Sequence, residues 1–318
     1  MAMKSFIFAL AVLMVSCQAG SDDQLSTPTP SPEVPDTPSE RVFRGIIAEE
    51  DGSRVFLDEK VRLHWNADDR ITLFEGTTRN KQYKFMGEDG DNAGDFEFVK
   101  AGFGTGNDLD RYYALYPYAS TTKYKYDNVA DYIQFTLPAT QTYAESSVGR
   151  GANVMVAVTA DLEDFDLLFR NACSFLLVRL WGVEQTVGSV TLTTNAGEPI
   201  AGTCKITPVY GGYPTLEMTG TTSSVTLNCV ESVQIGTTEQ TATDFWIVVP
   251  PATYSQGISV KVSGYYGGEQ TFTVDKSLTF ERNKYKRLIR ELSITDASTA
   301  MGVNGWNNNG VEHSGAAE

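Results

Sequence analysis

Cys17 is the residue whose surroundings most directly specify a reaction. It follows Ser16 at the end of an apolar run, Phe6 to Val15, behind Lys4. That run is too short to cross a bilayer and has the make-up of a secretory signal core. A small residue directly before a cysteine marks a lipobox, in which the cysteine becomes the first mature residue and carries acyl chains. Met14 stands where Leu is more usual, with Leu13 beside it. An ordinary signal peptide cut nearby is the alternative reading of the same run. Stable anchoring needs two or more acyl chains, which a triacylated Cys17 supplies.

The other residue types capable of chemistry do not gather into a catalytic pattern. His64 and His313 are the only histidines, one in an alternating segment and one in a polar tail. No zinc motif, Walker loop or nucleophile elbow is present. Gly102-Phe103-Gly104-Thr105-Gly106 has no helix after it and reads as a loop. Glu88, Asp89, Asp91 and Asp95 would suit calcium, but Ala93 and Lys100 occupy ligand positions of the EF-hand pattern. A solvated acidic hairpin tip is the competing reading. Beyond Cys17 there are three cysteines, an odd number that excludes complete internal pairing. Cys173, Cys204 and Cys229 read as buried free thiols; a Cys204–Cys229 disulfide is the alternative in an oxidising compartment. The chain is therefore expected not to be an enzyme and to need no cofactor or metal.

The elements that must position these residues read as strands. Period-two alternation places Val61, Leu63 and Trp65 on one face, and likewise Ile133, Phe135 and Leu137. The same holds for Val154 to Val158, Val190 with Leu192, Val225 with Leu227, Ile258 to Val262, Phe272 with Val274, and Leu292 with Ile294. Their neighbours are polar, as expected for strands with one wet face. Asp51-Gly52, Asn195-Ala196-Gly197, Gly211-Gly212 and Gly267-Gly268 supply turns. Many short strands so punctuated specify an all-β sandwich or barrel. Residues 161–181 also carry helical spacing, with Asp161 as an N-cap; the strand-rich context favours two strands broken near Arg170-Asn171. A net charge of -15 argues against nucleic acid and acidic membrane surfaces as partners.

The order of several motifs resembles the fimbrillin family, lipoproteins that form outer-membrane fimbriae in anaerobic Gram-negative bacteria. They are Trp65-Asn66-Ala67-Asp68-Asp69-Arg70-Ile71, Tyr112-Tyr113-Ala114-Leu115-Tyr116-Pro117-Tyr118, Leu137-Pro138-Ala139-Thr140-Gln141 and Asn153-Val154-Met155-Val156-Ala157. Phe169 to Cys173, Phe245 to Pro251 and Phe280-Glu281-Arg282-Asn283-Lys284 continue the series. Asp68 falls where the family more often has Gly.

The resemblance implies two tandem transthyretin-like β-sandwich domains. The expected division is a signal peptide over 1–16, a Pro/Ser/Thr-rich tether over 17–40, sandwiches over 41–165 and 166–297, and a polar tail over 298–318. It also implies surface exposure in the outer membrane, with Asp22 and Asp23 resembling an acidic export tag. Assembly would follow removal of the first strand by an arginine-specific protease. The groove so opened takes a strand from another subunit by β-augmentation. Arg41, Arg44 and Arg54 are the candidate cleavage positions, Arg44 being preferred because it follows the tether; Arg150 is a competitor. The tail offers only Met301, Val303, Trp306 and Val311 as apolar anchors, so a tip, accessory or short-assembly subunit is expected rather than a stalk. Expected partners are other fimbrillin subunits, outer-membrane lipid and host or bacterial surface glycans or proteins. The alternative is a non-polymerising glycan-binding lipoprotein, for which the tyrosines from Tyr112 to Tyr132 would stack on sugar rings if exposed.

Overall fold

A computed structural model describes residues 41–48, 63–102 and 105–295. Signal segment, Cys17, tether, Arg54, Val61 and tail lie outside the described residues. The described residues are all-β, as the alternation requires, with one short 3-10 turn at Glu239–Thr241. None of their helices is long and apolar enough to cross a membrane.

Seven strands hydrogen-bond into a closed barrel. They are β1 (Phe43–Ile47), β2 (Arg70–Phe74), β3 (Lys81–Phe85), β4 (Ala93–Ala101), β5 (Tyr113–Tyr116), β9 (Met155–Val158) and β10 (Asp166–Asn171). Between β5 and β9 the chain leaves the barrel as β6 (Lys123–Tyr126), β7 (Asp131–Leu137) and β8 (Thr140–Thr142). After β10 come β11 (Ser174–Trp181), β12 (Thr186–Thr194), β13 (Gly202–Thr207), β14 (Thr215–Met218) and β15 (Ser224–Gln234). The last are β16 (Thr243–Val249), β17 (Ala252–Tyr254), β18 (Ile258–Gly264), β19 (Glu269–Val274), β20 (Leu278–Phe280) and β21 (Tyr285–Glu291).

These later strands form a sandwich of a three-stranded sheet, β16-β11-β21, against a five-stranded one, β19-β18-β12-β15-β8. A further sheet, β14-β13-β7-β6, mixes strands from both halves of the chain, and β8 joins β15 in parallel. The chain thus crosses between the layers in both directions.

Three apolar clusters follow from these layers. The barrel interior is aromatic, with Phe43, Trp65, Tyr83, Phe85, Phe96, Tyr112, Tyr116 and Phe169. The sandwich interior is aliphatic, with Val187, Val190, Leu192, Leu227, Ile247, Val260 and their neighbours. A middle cluster joins the barrel's outer wall (Phe74, Leu115, Val156) to β7, β13 and the far face of β11 and β16. Fully burying one such side chain stabilises the fold by roughly 1.5–3 kcal/mol.

Two local expectations change. Residues 63–66 are not in a strand; Trp65 N–H donates to the Asp91 carbonyl at 2.8 Å, and Asp68 turns the chain at φ 64. Trp65 is nonetheless fully buried. The last strand ends at Glu291, before Leu292 and Ile294, which bury beyond it. Residues 161–181 resolve as the two strands β10 and β11, broken at Ala172-Cys173. There Asn171 Oδ1 accepts from Cys173 N–H at 3.0 Å while its Nδ2 donates to Asn283 Oδ1 at 3.0 Å.

Candidate functional site

The first strand is the element on which an assembly mechanism would act, and its setting can be built residue by residue. β1 lies between β10, which it pairs in parallel, and β4, which it pairs antiparallel. Arg44 N–H donates to the Phe165 carbonyl at 3.0 Å, Ile47 N–H to Asn92 at 2.9 Å and Ala48 N–H to Phe169 at 2.9 Å. Both backbone edges of the strand are therefore occupied.

Only alternate side chains enter the barrel. The Phe43 ring stands edge-on to Tyr83 at 5.5 Å, Tyr112 at 4.9 Å and Phe165 at 5.7 Å. Gly45 faces the same interior, and a Cβ there would come within 2.3 Å of Phe96 Cε2. Ile47 closes the row against the same cluster. The slot thus accepts a large ring, then no side chain, then an aliphatic group, at every second position.

An ionic cluster sits at the start of the strand. Arg41 Nη1 donates to Tyr112 Oη at 3.1 Å and lies 3.7 Å from Glu75 Oε1. The buried Glu75 carboxylate also accepts from Tyr83 Oη and from Lys81 Nζ at 3.2 Å. Glu75 keeps Lys81 as a counter-charge even without Arg41, which bounds the cost of losing the strand.

The candidate arginines separate clearly. Arg41 is exposed just ahead of β1, Arg44 is exposed in the middle of it, and Arg54 follows it in sequence, outside the described residues. Arg150 is tied down, its Nε donating to the buried Asp69 Oδ1 at 3.0 Å and its Nη2 to the Ala67 carbonyl at 2.7 Å.

Cys204 and Cys229 do not form the disulfide held open by sequence: both are free, as is Cys173. Cys204 and Cys173 lie in the middle cluster and Cys229 in the sandwich core, so two different layers separate the proposed partners. Burial pushes the Cys204 thiol up to about 12 and Cys229 up to about 11, and raises Cys173 as well. Thiols so held are neutral and unreactive at neutral pH.

The acidic hairpin between β3 and β4 folds its carboxylates back on backbone. Asp89 Oδ1 accepts from Ala67 N–H at 2.7 Å and Asp91 Oδ2 from Glu88 N–H at 2.8 Å. Among the described residues no group of three or more metal-ligating side chains converges. Of the tyrosines from Tyr112 to Tyr132, Tyr126 alone is exposed. Tyr112, Tyr113 and Tyr116 are buried, and Tyr124 packs edge-on to Tyr113 at 5.1 Å. Burial raises the Tyr116 and Tyr124 phenols, and Tyr113 is pushed up to about 12, with Asp131 as its next cause.

No family model matches the chain, and no curated protein does. Solved structures do resemble it. A candidate cell adhesion protein from Bacteroides ovatus is 14% identical, with 80% of this chain and 95% of that one covered at a TM-score of 0.47. A second, from Bacteroides uniformis, is 17% identical over 79% and 93% at a TM-score of 0.42. The C-terminally truncated tip fimbrial protein Mfa3 from Porphyromonas gingivalis is 8% identical over 80% and 96% at a TM-score of 0.31.

Proposed function

We propose that the chain is a lipid-anchored surface subunit of a fimbria, of tip, accessory or short-assembly type, that serves in adhesion and joins its neighbours by strand exchange at the β1 position. The observation that carries this reading is β1 itself. It is short, the first strand among the described residues, and paired on both edges, contributing few buried side chains yet sealing the barrel. Its removal leaves two unpaired backbone edges and an aromatic slot, a state that favours capture of a replacement strand. Cys17 supplies the anchor.

The ladder supports one choice of cut over the others. A cut after Arg44 leaves Gly45 to Ile47 in the slot, and a cut after Arg41 leaves all of β1 there. A cut after Arg54 releases the strand whole, so Arg54 replaces Arg44 as the preferred bond. The slot requires a glycine flanked two residues away on each side by large apolar groups. In the tail, Gly302 is flanked by Ala300 and Asn304, Gly305 by Val303 and Asn307, Gly310 by Asn308 and Glu312, and Gly315 by His313 and Ala317. None meets the requirement, which supports a subunit that receives a strand rather than one that donates its own to an identical copy.

The test is mild arginine-specific proteolysis of the lipid-free chain, with N-terminal sequencing and gel analysis. A new N-terminus after Arg54, with uptake of a synthetic peptide of the Phe43–Ile47 pattern, is expected. A clipped chain that keeps β1 or refuses the peptide overturns the reading and favours a non-polymerising glycan-binding lipoprotein.

A further inference from the structure

The two ends of the β1 slot differ in chemistry, and the difference specifies more of an incoming strand than its apolar row. Arg41 stands two residues ahead of Phe43, the spacing of one row of an extended chain carried past the end of the barrel. The groups it meets there are acceptors. Glu75 is a carboxylate whose side chain is 6% exposed, and its Oε1 lies 3.7 Å from Arg41 Nη1. Its Oε2 is held by Tyr83 Oη and by Lys81 Nζ at 3.2 Å. The Tyr112 hydroxyl has a single proton and gives it to the Leu162 carbonyl at 2.8 Å. Its lone pairs are thereby turned to the strand, where Arg41 Nη1 donates to them at 3.1 Å.

The local charge agrees with this geometry. Burial raises the Tyr112 phenol, Arg41 pulls it back, and Glu75, Glu163 and Asp161 add to the rise. Of the charged groups just named, three acids and Lys81 remain when Arg41 leaves. The opposite end of the slot does not repeat the arrangement. Asp89 and Asp91 belong to the hairpin that Ile47 reaches, and they accept from the backbone N–H groups of Ala67 and Glu88. Both contacts are at the surface, where water weakens any further ion pair. At the position of Arg41, a neutral residue would leave the acceptors to water, and an acid would set like charges together. The tail of an identical copy does not supply the cation, since residues 296–318 contain neither Lys nor Arg.

We infer that the slot selects a strand from a different kind of subunit, one that carries a basic residue two positions ahead of the large ring. The full demand is then basic, ring, glycine and aliphatic at alternate positions. Glu75 and the Tyr112 hydroxyl determine the first of these. The inference rests on the proposed strand exchange and adds the partner's chemistry to it.

The experiment uses the full lipid-free chain nicked between β1 and Leu63, and reads displacement of its first strand by labelled peptides of the Arg41–Ile47 sequence. The peptides carry Arg, Lys, Ala or Glu in the first place, so the fold itself is not altered. Lys should compete nearly as well as Arg. Ala should compete about threefold less well, the scale of a half-exposed ion pair, and Glu about tenfold less well. Salt at about 1 M should shrink these differences, which packing of the ring would not do. Glu75→Gln in the chain should bring the Arg and Ala peptides together. A second measurement needs no cut. In the intact chain, Arg41→Ala should speed hydrogen exchange at the Arg44, Ile47 and Ala48 amides about threefold, and Arg41→Lys should restore the slow rate. Equal displacement by all the peptides, or exchange indifferent to Arg41, overturns the inference while strand exchange stands. Refusal of every peptide overturns strand exchange and the inference with it.

Discussion

The barrel and the sandwich solve the same packing problem with different materials. The barrel fills a closed space with a few large rings, Trp65 touching Phe85, Phe96, Tyr116 and Phe169 at centroid distances of 5.1 to 5.8 Å. The sandwich fills a broad seam with many branched aliphatic side chains. Tyrosine rings carry hydroxyls that seek partners, and the barrel accordingly holds buried carboxylates at Asp69 and Glu75, which accept from Tyr116 and Tyr83. The aliphatic seam needs few. The difference teaches that the barrel concentrates its stability in single residues and its polar groups at its ends.

The largest predicted effect breaks the comparison if it fails. Trp65→Ala should cost about 3–5 kcal/mol in equilibrium denaturation, while Ile247→Val in the sandwich should cost about 1 kcal/mol. Equal losses would mean that the two cores are not organised differently. Next comes Gln141→Ala, which leaves both Val248 backbone groups unpaired between the layers and should cost about 2 kcal/mol.

Alkali sharpens the contrast further. Buried thiols at Cys204 and Cys229 are raised from 9.0 to about 12 and about 11, so the unfolded chain releases these protons first. Their stabilising contribution is complete below pH 9 and is lost as pH rises through 11 to 12. Thermal melts should fall steadily across that window, and a flat profile would contradict the burial. The smallest effect belongs to the surface. Tyr266→Ser, at an exposed hairpin tip, should stay within about 0.5 kcal/mol of the parent in the same denaturation assay.

Much of this was legible in the sequence where one strand face is wet. Ile133, Phe135 and Leu137 bury as their alternation requires. Residues 161–181 are ambiguous in sequence, and over 174–181 the reason is physical. β11 lies in the middle layer and buries both faces, Phe175 and Leu177 on one side and Leu176 and Val178 on the other, which erases the period of two. Trp65 is a core residue held by a turn rather than a strand, and alternation alone cannot tell these apart. At the candidate site, Arg44 follows the tether in sequence, but only the ladder shows that it lies inside β1.

The three free thiols give the molecule its own chronometers. Cys229 is sealed in the sandwich, Cys173 and Cys204 in the middle layer, and no described cysteine is in the barrel. A thiol-reactive dye can mark each only when its layer opens. The order in which the three are tagged during unfolding, read by peptide mass, therefore records the order in which the layers come apart.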